Sequence, residues 1–245
     1  IRNYFTGKKN ARSLENEALQ NAESSSIQGV IHESAKNVAN VVKRGRQIYS
    51  GAIEGLSKQD LVLLKKNKQQ IVKLSNEVND LRDHIFYFIK NLDESSLGAS
   101  NFYINLLGHL QDVTQSLEYI SKVSFKHVNN NHKKLKYSQI QELKEIDNEL
   151  TLLLKEIKEI FSENTFSKIV EILPKKQTLF AAITSKIEAQ VTRTRSDESS
   201  PKNTTLYFGL LLESKDLINS IMSLSELYHK EYDDSIEPAT IKEEE

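Results

Sequence analysis

The sequence predicts an all-α protein made of two tandem antiparallel three-helix units, six long helices in all. Three observations carry the prediction. Tyr103, Leu106, Leu110, Val113, Leu117 and Ile120 recur at steps of three and four, which places them on one face of an α-helix. That segment returns at a fixed offset of 104 residues, as Phe102/Leu206, Tyr103/Tyr207, Ile104/Phe208, Leu106/Leu210, Leu107/Leu211, Val113/Leu217, Leu117/Ile221 and Ile120/Leu224. A fixed offset of this kind marks a duplicated unit. Finally, eight Gly and three Pro among 245 residues supply too few turn formers for an all-β chain.

Residues 1–12 (IRNYFTGKKNAR) lack helical periodicity and carry Arg2, Lys8, Lys9 and Arg12. They read as a basic linker of the kind found beside membrane spans on the cytoplasmic side. The first unit covers 13–132. Its first helix starts between Ser13 and Ser26, buries Ile27, Val30, Ile31, Val38, Val41, Val42, Ile48 and Ile53 along one face, and closes at Gly55. Ser57-Lys-Gln-Asp60 reads as a capping box for a second helix reaching Asn91, with Ile85 to Ile89 a short core patch. Gly98 breaks the chain, and the striped third helix runs from Ala99 to His127, stopped by Asn129, Asn130 and Asn131.

The second unit covers 133–232. Ser138-Gln-Ile-Gln141 is a capping box for a fourth helix carrying Ile140, Leu143, Ile146, Leu150, Leu153, Leu154, Ile157 and Ile160. A fifth helix starts at Thr165, and Pro174 imposes a kink or restart within it. The polar run Arg193 to Pro201 is a loop, the sixth helix spans Thr204 to Tyr232, and residues 233–245 form an acidic tail expected to be disordered. Only the third and sixth helices show the repeat well; between the second and fifth, Lys68-Gln69 against Lys176-Gln177 is the extent of it.

Composition narrows the function. A formal net charge of −1 gives no global attraction to nucleic acid. No Cys is present, so disulfides, thiolate metal sites and thiol nucleophiles are excluded. No apolar run approaches the ~18 residues of a membrane span. The chain opens on Ile rather than Met, and is expected to be a piece of something longer; a membrane span before Ile1 would suit the basic start.

No P-loop, dinucleotide fingerprint, nucleophile elbow or HExxH helix occurs, so the chain reads as neither an enzyme nor a holder of a cofactor. The histidines His32, His84, His109, His127, His132 and His229 show no ligand spacing and read as surface or helix-edge imidazoles. Glu142, Glu145, Glu149, Glu156 and Glu159 alternate with Lys144, Lys155 and Lys158, the pattern of i,i+3 and i,i+4 pairs on a wet helix face. The basic patches Lys65-Lys66-Asn67-Lys68, Lys133-Lys134-Leu135-Lys136 and Arg193-Thr194-Arg195 lack the interleaved aromatics of a strand-binding surface. Asp112 and Asp216 stand out, because they hold equivalent places in the repeat beside the apolar stripe.

Two tandem three-helix units resemble the PhoU phosphate-uptake regulators. More closely, LRDHIFYFIKNLDESS, ASNFYINLLGHLQDVTQSLEYISKVSFKHVNNNHKKL and LLLESKDLINSIMSLSELYHKEY resemble the PhoU-like cytoplasmic C-terminal region of bacteroidetes-type inorganic phosphate transporters. The likeness covers about residues 13–232. In that family the third helix of each unit carries a Glu and an Asp four apart that bind metal. The matching positions here are Gln111 and Gln115 in the first unit and Lys215 and Asn219 in the second. None is acidic, and hard cations want carboxylate oxygen, so no metal is favoured and Asp112 and Asp216 remain the fallback ligands.

The resemblance implies a regulatory and interaction domain of a phosphate transporter, on the cytoplasmic side of the inner membrane. Its partner would be the membrane-embedded transporter region, probed through helix surfaces within the same polypeptide, with homo-oligomerisation left open and no nucleic acid involved. The alternatives are a stand-alone regulator that binds a permease or histidine kinase, and a plain helical scaffold.

Overall fold

The computed structural model describes residues 2–91, 97–196 and 198–239, with side chains from Ser25 onward except at 87, 88 and 91. The described residues are mostly helical, with no strand among them. In order come α1 (Arg2–Lys58), α2 (Leu61–Asp83), α3 (Ile85–Asn91), α4 (Leu97–Asn129), α5 (Tyr137–Glu163), a 3₁₀ turn (Phe166–Lys168), α6 (Ile169–Ile172), α7 (Lys175–Arg195) and α8 (Pro201–Glu231). Six of these are long.

Several boundaries move from their expected places. Helix α1 begins at Arg2, where a non-helical linker was expected. A missing apolar stripe shows that a segment has no buried face, and that does not prevent a helix; the side chains of Arg2, Lys8, Lys9 and Arg12 lie outside the described ones. Gly55 does not close α1. The helix ends instead in a Schellman motif, with Gln59 left-handed (φ 55°) and the Asp60 N–H bonded to the Gly55 carbonyl at 2.9 Å. Asp60, not Ser57, caps α2 by accepting from the Leu63 N–H at 2.9 Å.

The second helix breaks at His84, after which α3 begins at Ile85, and Phe86 and Ile89 of the expected core patch are exposed. Gly98 sits inside α4. In α5 the partner in the cap is Gln139, whose side chain accepts from the Lys136 N–H at 2.9 Å, and not Gln141. Pro174 does divide the fifth helix, with α6 before it and α7 restarting at Lys175. Helix α7 continues to Arg195, so Arg193 is helical rather than in a loop.

Of the helices expected in the first unit, α1, α2 and α4 pack on one another; of those expected in the second, α5 and α8 are joined mainly through α7. Helix α1 packs on both α4 and α5, and α4 packs on α8. The four helices α1, α4, α5 and α8 thus form the centre, with α2 and α7 on the flanks. A single hydrophobic core runs through both units, from Val30 and Ile31 of α1 to Tyr228 of α8. One end is closed by edge-to-face rings, with Phe161 and Phe102 packed on Tyr228 at centroid distances of 4.6 and 5.1 Å.

The tail also departs from expectation. Residues 232–239 run back along α1, and Gln28 clamps them. Its Nε2 donates to the Glu231 carbonyl at 2.7 Å, and its Oε1 accepts from the Asp233 N–H at 3.1 Å. The Ala239 N–H then donates to the Ser25 carbonyl at 2.9 Å. Residues 240–245 lie outside the described part.

Candidate functional site

Helices α4 and α8 run antiparallel. Phe102 meets Tyr228, Ser116 bonds Glu213, and Tyr119 lies over Gly209. That register sets Asp112 and Asp216 at the same level, both exposed. Glu213 lies close by: burial raises its carboxyl, the Ser116 hydroxyl lowers it in part, and the Asp216 charge raises it again.

The resemblance's metal positions are not drawn into a ligand set. Gln111 is half-buried, while Gln115 and Asn219 are exposed. Lys215 places its Nζ 4.9 Å from the centre of the Phe180 ring on α7, a cation–π contact. Two glutamines, an asparagine and an ammonium offer no anionic oxygen, so these positions do not fit a hard cation. Among the described residues no three His, Cys, Asp or Glu converge as metal ligands. His127 is buried, contrary to the surface reading. Its Nε2 lies 2.9 Å from the Lys133 carbonyl, and its ring is 5.3 Å from that of His132.

The other seam joins α1 and α5, again antiparallel. The Ser50 hydroxyl donates to Asp147 at 2.6 Å, and burial raises the Asp147 carboxyl. One turn away, Lys43 and Arg46 of α1 face Lys155 and Lys158 of α5 across a cavity of about 260 Å³, floored by Leu154 and edged by Glu159. Among the described residues the intrahelical pairing expected for the lysines of α5 is not seen, and three of its glutamates reach outward to α7 instead. Glu156 pairs with Lys175, Glu145 with Lys186 and Glu142 with Arg193. On α1, Arg44 pairs with Glu77 of α2. Among the described residues no ion pair engages Lys43, Arg46, Lys155 or Lys158.

These four cations are repeat equivalents. VVKRGRQIYS (41–50) aligns with LLKEIKEIFS (153–162) at an offset of 112, which matches Lys43 to Lys155 and Arg46 to Lys158. Equivalent residues of antiparallel partners that meet in one place define a local twofold. This axis has the basic groove on the α1/α5 seam, and Asp112 with Asp216 on the α4/α8 seam. The sequence reading missed the groove, yet the signal was present in the two ten-residue segments.

A third cluster locks the second unit. Arg193 of α7 makes a bidentate pair with Glu142 of α5 at 2.9 and 2.8 Å, and the Tyr207 hydroxyl of α8 donates to the same carboxylate. Burial pushes the Glu142 carboxyl up, but the bonds from Arg193 and Tyr207 outweigh it and the net shift is down. Tyr207 is raised, first by burial and then by its bond to Glu142. Gln139 and Gln190, both buried, extend the cluster through a 2.9 Å bond. It is a structural lock, since each polar group is committed to another helix.

Compared with known proteins, the chain matches no family model, no curated protein and no solved structure.

Proposed function

We propose that this chain is a PhoU-like regulatory and interaction domain of an inorganic phosphate transporter, acting in phosphate uptake without catalysis. The observation that carries the reading is the packing of α1 on α5 and of α4 on α8 along two polar-edged seams. A rotation of one unit against the other alters both seams together, which suits a two-state element that biases a partner's conformation. The sequence resemblance supplies the identity of that partner, the membrane-embedded transporter region of the same polypeptide, with the domain on the cytoplasmic side of the inner membrane. Regulation then consists of differential contact with the open and closed forms of that region.

The test is an immunoblot of fractionated native cells with an antibody against this chain. The expected result is a membrane-fraction band well above 28 kDa. A band near 28 kDa in the soluble fraction overturns the reading and points to a stand-alone regulator.

A further inference from the structure

We propose that the groove between α1 and α5 is a binding site for a diphosphate group, held by Lys43 and Arg46 from one side and Lys155 and Lys158 from the other. Charge marks the groove first. Four cations and one carboxylate, Glu159, border the cavity, a formal excess of three positive charges. The pairs made by Arg44, Glu142, Glu145 and Glu156 direct neighbouring charges to α2 and α7, away from the groove. Like charges gathered on two facing helices repel one another, and a bound anion relieves that cost.

Size and symmetry select the anion. At about 260 Å³ the cavity lies below the range of ~300–1,000 Å³ typical of drug-sized ligands, so a compact ligand fits. A single phosphate carries about −1.5 to −2 at neutral pH and leaves the excess unbalanced. Two linked phosphates balance it. The local twofold passes between the two cation pairs, so each phosphate of a diphosphate takes one equivalent set. Arg46 supplies a planar fork for two oxygens, whereas the lysines act as compact point charges.

Inorganic pyrophosphate and the diphosphate of a small organic molecule share this chemistry. The site also stands apart from the transporter reading, because binding is measured on the purified chain and does not depend on where the protein resides in cells.

The experiment is calorimetric titration of the full chain, without divalent metal, using pyrophosphate, orthophosphate and adenosine diphosphate. Thermal melts are run in parallel. Pyrophosphate is expected to bind at least tenfold more tightly than orthophosphate and to raise the melting temperature. Equal or tighter binding of adenosine diphosphate assigns the site to an organic diphosphate, and weaker binding assigns it to the inorganic ion.

The double variant Lys43→Gln/Lys155→Gln is expected to lose tenfold or more in affinity while melting slightly higher than wild type without ligand, since repulsion is relieved. The control Lys65→Gln/Lys66→Gln, on α2, is expected to bind as wild type does. The proposal is overturned by absence of pyrophosphate binding, by equal affinity for orthophosphate, or by an equal loss in the control. Binding to phosphatidylglycerol vesicles that pyrophosphate does not compete away overturns it in favour of a membrane-docking face.

Discussion

The Glu142 carboxylate takes both arms of the Arg193 guanidinium and the Tyr207 hydroxyl, so α5, α7 and α8 are pinned at one half-buried charge. Arg193→Leu leaves that charge without its cation and is expected to cost about 1.5–3 kcal/mol at neutral pH, read from urea midpoints. The pH dependence has a definite sign. The folded Glu142 carboxyl is lowered relative to an unfolded value near ~4.3. Its stabilisation is therefore present above that value and is lost as pH falls through the folded value. The gap between wild type and variant should narrow in acid; a gap of constant size would show that packing, not charge, holds the site. Little of this was legible beforehand. Pairing rules along one helix assign Glu142 and Lys155 to near neighbours, whereas their fates depend on which helix lies alongside. Arg193 looked like loop because Ser, Asp and Pro follow it, although the helix ends only after Arg195.

Helix α1 shows how closely the elements approach. A Cβ on Gly55 would lie 2.5 Å from Leu64 Cγ of α2, so the glycine permits a contact between consecutive helices. Gly55→Ala should force the hairpin apart and cost about 1–3 kcal/mol, measured by thermal melting with Gly108→Ala as comparison, since an added Cβ there meets nothing. Equal melting of the two variants would refute close packing at Gly55. Asn67 reinforces the contact by donating to the Ile48 carbonyl at 2.8 Å and to Ser121 at 3.2 Å. Helix number and the α4/α8 stripe were legible because an apolar face repeats at the helical period. The α1/α5 repeat was hidden by its spacing. Its offset is 112 rather than 104, because the path from α1 to α4 is eight residues longer than that from α5 to α8. Chain ends and caps were displaced where Gln59 or Asp60 did what Gly55 and Ser57 were expected to do.

For the molecule as a whole, the two seams place opposite charge on opposite sides of the local twofold: Asp112 and Asp216 on one, the four basic residues on the other. If the acidic side meets the transporter's membrane region, Asp112→Lys/Asp216→Lys should leave melting unchanged within about 0.5 kcal/mol, as exposed substitutions do. On the transporter function proposed above, it should still weaken phosphate uptake in cells. Uptake identical to wild type would remove that side from the contact. The two units were expected as successive segments, and the packing of α1 on α5 and of α4 on α8 ties those segments together along their length. Their shared core was not visible from sequence, because an apolar stripe does not say which helix it faces.

The returning tail has a consequence for connectivity. The Ala239 N–H is bonded to the Ser25 carbonyl, so the returning tail meets α1 well inside the helix, about six turns after Arg2. In a chain trimmed to residues 25–239, a short covalent link between Ser25 and Ala239 would make a ring of the bundle, and the ring could be reopened in the turn at Asn130–Asn131, where φ is already positive at Asn131. The order of the two units is then a matter of where the chain is cut: second-then-first would build the same core, the same seams and the same basic groove as first-then-second.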